Sequence, residues 1–410
     1  MTRRLRLGIV TSGYPYTTKE AFLEPELRAL AQHAELRVYP VNPSLRRQRL
    51  TDAESVRIPI VSLTVLGDAL LEFVRHPSLV LRAFRAVAFC GTWRARAKNA
   101  AVFCKALAVA RDMRRYRIGH VHAYWASTPA TVAYVVALIN GTSWSFTAHR
   151  WDIYEDNLLA DKARHARFVR VVSRRARTAV LERTEAAEDK VRVLHVGVAR
   201  ADFARCDMTR PFSLICAANL EPVKGHRTLI EALNHIAARG TVVRCVLAGD
   251  GSLHNSLAAA IDAARLGSVV CLAGCMPHDR LLGDLATGSY DAAVLASIED
   301  GDVHEGIPVF LMEAMAAGLP CVATKTGSIE ELIDADVGIL VAQRDPPELA
   351  RAIELLAGDA SLRARFGHAA RERIAQGFDA ERLAAELFSW IHAGSEATRR
   401  TTSETTLARS

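Results

Sequence analysis

Asp300-Gly-Asp-Val-His-Glu305-Gly-Ile-Pro-Val-Phe-Leu-Met-Glu313-Ala-Met-Ala-Ala-Gly-Leu-Pro-Cys-Val-Ala-Thr324 is the stretch on which the reading of this chain turns. It follows an apolar run of strand length, Ala292–Ala296, and opens a helix at Pro308, a residue suited to the first helical position. Glu305 therefore falls on a strand-to-helix loop, and Glu313 sits over a turn into the helix. The backbone N–H groups of Gly306, Ile307 and Val309 have no partner inside such a helix. With the helix dipole they form an anion receptor suited to a diphosphate. The two carboxylates would then accept hydrogen bonds from hydroxyl-rich groups on either side of it.

The same alternation runs outward in both directions. Leu5–Val10, Leu36–Val41, His120–His122, Trp144–Thr147, Val169–Val172 and Val191–His195 read as strands, separated by helical periods such as Phe22–His33, Thr128–Ile139 and Ser173–Thr184. The pattern restarts at Ser213–Ala217 and continues through Val242–Ala248, Val269–Ala273, Ala292–Ala296, Pro320–Ala323 and Gly338–Val341. Strands that alternate with helices form parallel sheets covered on both faces. The expected fold is α/β with two doubly wound, Rossmann-like domains, 1–205 and 206–378. A C-terminal helix over 379–393 is placed to cross back to the first domain, and the Ser- and Thr-rich segment 394–410 reads as a disordered tail. Such sheets bind ligands beyond the carboxyl ends of their strands, so the expected site is a cleft between the two domains.

Composition narrows the class. The chain has 410 residues, 50% apolar and 24% charged, which excludes bulk disorder. No apolar run reaches the ~18 residues of a membrane span, and the N-terminus shows no signal-peptide pattern. The 8 cysteines never form C-x-x-C and read as the reduced thiols of a cytoplasmic protein. The net charge of +7 hides an asymmetry: residues 1–205 carry 34 Lys and Arg against 18 Asp and Glu, and 206–410 carry 18 against 27. The first half is thus expected to meet something anionic. Arg75–Arg117 mixes Phe84, Phe89 and Trp93 with many arginines, the composition either of helices lying on an anionic membrane surface or of solvated surface helices. Nucleic acid is not expected, because no zinc-finger, winged-helix or RNP-type pattern accompanies the charge. A nicotinamide enzyme is a poor reading, because the first strand-turn lacks G-x-G-x-x-G and the second-domain turn has Lys224-Gly225 where the fingerprint needs glycines.

The string from Gly301 to Met315 strongly resembles the E-x7-E signature of the retaining glycosyltransferases of family 4, which have the GT-B architecture of two Rossmann-like domains facing across a cleft. Its wording looks most like members that build bacterial exopolysaccharides of the colanic-acid type. Ala217-Ala-Asn219-Leu-Glu-Pro-Val-Lys224-Gly matches the family's Arg-x4-Lys turn, Ser145-Phe-Thr-Ala-His149 a strand ending in a histidine, and Gly249-Asp-Gly251 a turn. Ser12-Gly13-Tyr-Pro with Glu20 matches the acceptor-side loop, where Glu24 and Glu26 would also lie.

The resemblance implies an enzyme, a hexosyl-type transferase taking a nucleoside-diphosphate sugar to a lipid-linked or glycan acceptor. No cofactor and no metal would be required. Glu305 would hold the hydroxyls of the transferred sugar and Glu313 those of the ribose. Lys224 would stabilise the departing diphosphate together with the amides of Gly306, Ile307 and Val309, and His149 would lie near the donor sugar. Gly13 either lets its loop approach the diphosphate or is a plain turn glycine, and Gly249 marks a turn. His120 and His122 read as packing or acceptor contacts, and Asp300-Gly-Asp302 is discounted as a metal motif. One departure stands out. Asn219 replaces the family's arginine, and an amide cannot grip phosphate as a guanidinium fork does. It opens an alternative, a catalytically silent relative serving as a binding subunit of a polysaccharide assembly complex. The expected location is cytoplasmic, at the inner face of the cell membrane.

Overall fold

A computed structural model describes residues 4–44, 54–89, 91–201, 211–301 and 303–407, with side chains as far as 393. The apolar runs become twelve strands: β1 (Arg6–Thr11), β2 (Glu35–Pro40), β3 (His120–Tyr124), β4 (Ser143–Ala148), β5 (Val169–Val171), β6 (Val191–Val193), β7 (Phe212–Ala217), β8 (Val243–Ala248), β9 (Val270–Gly274), β10 (Ala292–Leu295), β11 (Cys321–Thr324) and β12 (Gly338–Val341). They pair in two six-stranded sheets, in the orders β2-β1-β3-β4-β5-β6 and β12-β11-β10-β7-β8-β9. Every pairing between them is parallel. Parallel strands need crossovers, and the amphipathic segments between the runs supply them as helices. Central strands such as β3 and β10 are buried along their whole length, as expected of a sheet covered on both faces.

The chain divides into two compact units, Met1–His195 with Glu381–Ser410, and Val196–Ala380. The division falls at His195/Val196 rather than at 205/206, and residues 202–210 lie outside the described set. The last helix, Ala380–Leu407, continues where a disordered tail was expected over 394–410. Residues 408–410 lie outside the described residues, as does Asp302 of the discounted metal motif.

The two sheets differ in order, and the difference positions the sites. In the second, chain order reverses between β7 and β10; in the first, between β1 and β3. Open parallel sheets leave their crevice at such reversals, where the loops of two adjacent strands part.

The basic block of the first unit folds as three helices, Leu63–Arg75, Pro77–Ala88 and Trp93–Arg115. Val65, Val80, Ala83, Val87 and Val102 face the core, while Leu63, Leu66, Leu70, Phe73 and Trp93 are exposed beside the exposed Arg75, Arg82 and Arg85. Among the described residues no helix is long and apolar enough to cross a membrane.

Candidate active site

The two loops at the reversal of the second sheet carry the residues singled out by the sequence. After β7 the chain runs through Asn219 into a short turn, Pro222–Lys224; after β10 it passes Ser297 and reaches Glu305. The Ile298 N–H donates to the Val223 carbonyl at 2.8 Å and ties the loops together. Lys224 Nζ donates to Glu305 Oε1 at 2.5 Å, and the Ser297 hydroxyl donates to the same oxygen at 3.0 Å. Both side chains are largely covered, with 22% and 10% of their surface exposed. An ion pair this shielded survives because each charge has its partner; removing one leaves the other stranded.

The helix after this loop is Val309–Ala316, with Pro308 as its cap residue rather than its first turn. The amides of Gly306, Ile307 and Val309 have no intramolecular acceptor among the described residues. They therefore stay available to an anion, next to the cation of Lys224. Glu313 lies one turn into this helix, nearly buried, and its Oε1 meets His278 Nε2 at 2.6 Å. His278 opens the helix His278–Ala286 after β9. Neither His278 nor Ser297 was anticipated, because each is recognisable only once its carboxylate partner is placed.

Glycines let these loops approach so closely. Gly327, at φ +58°, lies under Glu305, where a Cβ would stand 1.9 Å from the Glu305 carbonyl oxygen. Gly249, at φ +155°, packs in the same way on Ala218, beside Asn219. Its amide donates to the Gly274 carbonyl at 2.8 Å, so it supports the Asn219 turn instead of presenting a donor. Asn219 itself is exposed at the head of that turn.

His149 and Gly13 belong to the first unit. His149 ends β4 with its ring 4.3 Å from that of Trp125 and edge-on to Phe22. Both ring nitrogens are buried without a hydrogen-bond partner. Burial, with a contribution from the charge of Arg170, lowers its pKa to about 3, so the imidazole is neutral at physiological pH. Asp152 accepts the backbone N–H groups of His149 and Ala126 at 2.7 and 2.5 Å. Burial raises the Asp152 pKa to about 7 in spite of those bonds. The Gly13 amide, a candidate donor to a diphosphate, is already bonded to Glu20 at 2.5 Å.

His120 and His122 are packing residues. They join Ser143, Ser145 and Thr147 in one unbroken chain of imidazole–hydroxyl hydrogen bonds along β3 and β4, each link 2.8 to 3.1 Å. Glu26, read as an acceptor-side residue, is instead buried against Arg170, with oxygens 2.5 and 2.7 Å from the two guanidinium nitrogens. Glu24 makes a helix-surface pair with Arg28. Among the described residues no three His, Cys, Asp or Glu side chains converge as metal ligands.

Two open parallel sheets, the second carrying a lysine, a helix start and paired carboxylates at its reversal, define the GT-B class of α/β folds. Anabaena HepE, crystallised in complex with UDP, shares that fold: it is 17% identical, with a TM-score of 0.70 over 95% of this chain and 100% of that one. Residues 207–373 match the family model described as glycosyl transferases group 1. Among curated proteins, Salmonella typhimurium WcaL, whose name places it in colanic acid biosynthesis as a glycosyltransferase, is 33% identical over 210 residues, 50% of this chain and 51% of WcaL. The amylovoran biosynthesis glycosyltransferase AmsK of Erwinia amylovora is 32% identical over 166 residues, 40% of each chain. The chain thus spans about half the length of WcaL and less of AmsK. At this level the resemblance read from the E-x7-E string holds.

Proposed function

We propose that this protein is a retaining glycosyltransferase that moves a sugar from a nucleoside-diphosphate donor to a lipid-linked or glycan acceptor in exopolysaccharide or cell-surface glycan synthesis. The observation that carries this reading is the Lys224–Glu305 pair beside the free amides of Gly306, Ile307 and Val309. Cleavage of the anomeric bond leaves a diphosphate with added negative charge. One cation and three oriented amides stabilise that charge in place of a metal. A donor entering this seat displaces Lys224 from Glu305 onto phosphate, which frees the carboxylate for sugar hydroxyls. Glu313 then holds the ribose, in competition with His278. The relatives' names, and the UDP bound in HepE, support a nucleotide-sugar donor.

Thermal denaturation in the presence of a panel of nucleoside-diphosphate sugars tests the reading, since a ligand of the folded state raises the melting temperature. Absence of any shift, with no slow donor hydrolysis and a Glu305→Ala variant that behaves as the parent, would overturn it.

Asn219 supports a second reading, that of a silent binding subunit; robust turnover by the unaltered protein would remove it. The protein works in the cytoplasm at the inner face of the membrane, attached through the exposed Leu63, Leu70, Phe73 and Trp93 and the arginines around them. Sedimentation with anionic vesicles should weaken as salt is added. Sedimentation indifferent to salt, or none, contradicts this attachment.

A further inference from the structure

The second unit holds another cavity, of about 380 Å³, and none of the residues that line it belongs to the Lys224–Glu305 seat. Its size is that of a small-ligand site. It lies where two helices that pack side by side, His226–Ala238 and Pro346–Gly358, begin. The two starts are finished differently. Asp345 caps the second, its carboxylate accepting from the Glu348 amide at 2.8 Å. Gly225 precedes the first and has no side chain to do the same. The amides of His226, Arg227 and Thr228 therefore have no intramolecular acceptor among the described residues. These three residues line the cavity, so its wall carries the positive end of the helix dipole.

A helix start alone could be left to water, but His226 is an independent sign of a ligand. It lines the same cavity, is 1% exposed, and has no hydrogen-bond partner on either ring nitrogen. Buried polar groups in folded proteins are paired, so a bare imidazole at a cavity marks a partner from outside the chain. Burial, with a contribution from the charge of Lys224, lowers its pKa to about 4. The ring is thus neutral at physiological pH, with one N–H to donate.

Arg227 and Arg344 also line the cavity, both exposed and neither in an ion pair with a described residue. Arg344 is held at φ +59°, a left-handed backbone unusual for an arginine. Three amides, the Thr228 hydroxyl, an imidazole N–H and two guanidinium forks exceed what the two oxygens of a carboxylate can use. They match the three terminal oxygens and double charge of a phosphate monoester. Pro222, Leu253, Ile298 and Pro346 give the lining an apolar part for the body of such a molecule, and Glu231, its one acid, can accept hydroxyls from that body.

We infer that this cavity binds a small phosphomonoester, with its phosphate at the start of the helix His226–Ala238 and Arg227 and Arg344 as its cations. The inference goes beyond glycosyl transfer and does not depend on it.

Thermal denaturation and calorimetric titration of the full chain provide the test. The probes are glucose 6-phosphate, glucose 1-phosphate and glycerol 3-phosphate, set against inorganic phosphate. At least one ester should bind and raise the melting temperature, about tenfold more tightly than inorganic phosphate. Its binding should persist in saturating UDP. Arg227→Gln and Arg344→Asn should each weaken it about tenfold; both side chains are exposed, and asparagine suits the left-handed backbone at 344. His226→Phe, which removes the ring nitrogens, should weaken it as well. Should that variant fail to fold, the two arginine variants still decide. No bound ester, inorganic phosphate bound as tightly as the esters, binding lost in saturating UDP, or arginine variants that bind like the parent would overturn the inference. A protein that binds an ester but is stabilised by no nucleotide sugar keeps this inference and loses the transfer reading. One stabilised by a donor and by no ester does the reverse.

Discussion

The crevice at the first sheet's reversal and the crevice at the second's start from the same backbone arrangement and end in opposite chemistry. Beyond β7 and β10, helix-start amides are left open beside the Lys224–Glu305 pair. Beyond β1 and β3, amides of the same kind are bonded to Glu20, and the nearby cations Lys162 and Arg170 are turned onto carbonyls and Glu26. Topology selects where a ligand can sit; the loop side chains decide what it is. One crevice leaves its amides open, and the other fills them with a carboxylate of its own chain.

The largest expected effect lies in the first unit and concerns the fold alone. Glu26 and Arg170 are 2% and 1% exposed, and Tyr124 donates to Glu26 at 2.5 Å. Glu26→Ala leaves a guanidinium buried without its carboxylate, at a cost of about 3–5 kcal/mol in urea denaturation. Donor stabilisation measured below the variant's melting temperature should persist; its loss would mean that the second crevice depends on this pair. In the second unit, Lys224→Ala should lower turnover about 10²- to 10³-fold and weaken UDP binding. Unchanged UDP affinity would remove the lysine from the diphosphate seat.

Titration separates the units on a finer scale. The folded-state pKa of His149 is about 3, below the ordinary 6.5. Between those values the unfolded chain binds more protons, so the stability from keeping this ring neutral is full above pH 6.5 and is lost as pH falls toward 3. Asp152, raised to about 7 from 3.8, acts with the opposite sign between pH 4 and 7. His149→Gln should therefore flatten the acid-side loss of stability, by up to about 1.4 kcal/mol per pH unit. An unaltered slope in denaturation midpoints between pH 6.5 and 4 would show that the ring is protonated in the folded protein.

The second crevice was far more legible in the sequence than the first. Glu305, the helix start and Glu313 follow from one unbroken string, whereas Lys224 meets Glu305 across 81 residues and was singled out through the resemblance of its own turn. All twelve strands among the described residues could be read, because parallel strands buried on both faces are short apolar runs with helical periods between them. Glu20 and Trp125 meet across 105 residues of sequence, and only the order β2-β1-β3 brings them together. The charge surplus of the first half pointed to an anion, and Arg75, Arg82 and Arg85 of that surplus lie exposed on its outer helices. For His122 the packing alternative holds, while Glu26, read as an acceptor-side residue, is buried against Arg170. A charged side chain in a helix's first turn looks functional until its buried partner is known.

The smallest effect expected bears on what the second crevice lacks. Asn219 is exposed at the turn that Gly249 supports, in the same β7 loop as Lys224. Asn219→Arg places a fork of donors there, and a charge-assisted bond to phosphate should tighten UDP binding about tenfold. Because the site is open to solvent, the gain should shrink as salt is added. Titrating UDP into the parent and the variant at two ionic strengths checks both points. A tenfold gain with an already active parent means that the asparagine moderates a working donor seat. Appearance of turnover where the parent has none would favour the binding-subunit reading. No gain at either salt would mean that the turn does not face the diphosphate, and the contrast between a filled and an open crevice would then rest on Lys224 and the helix amides alone.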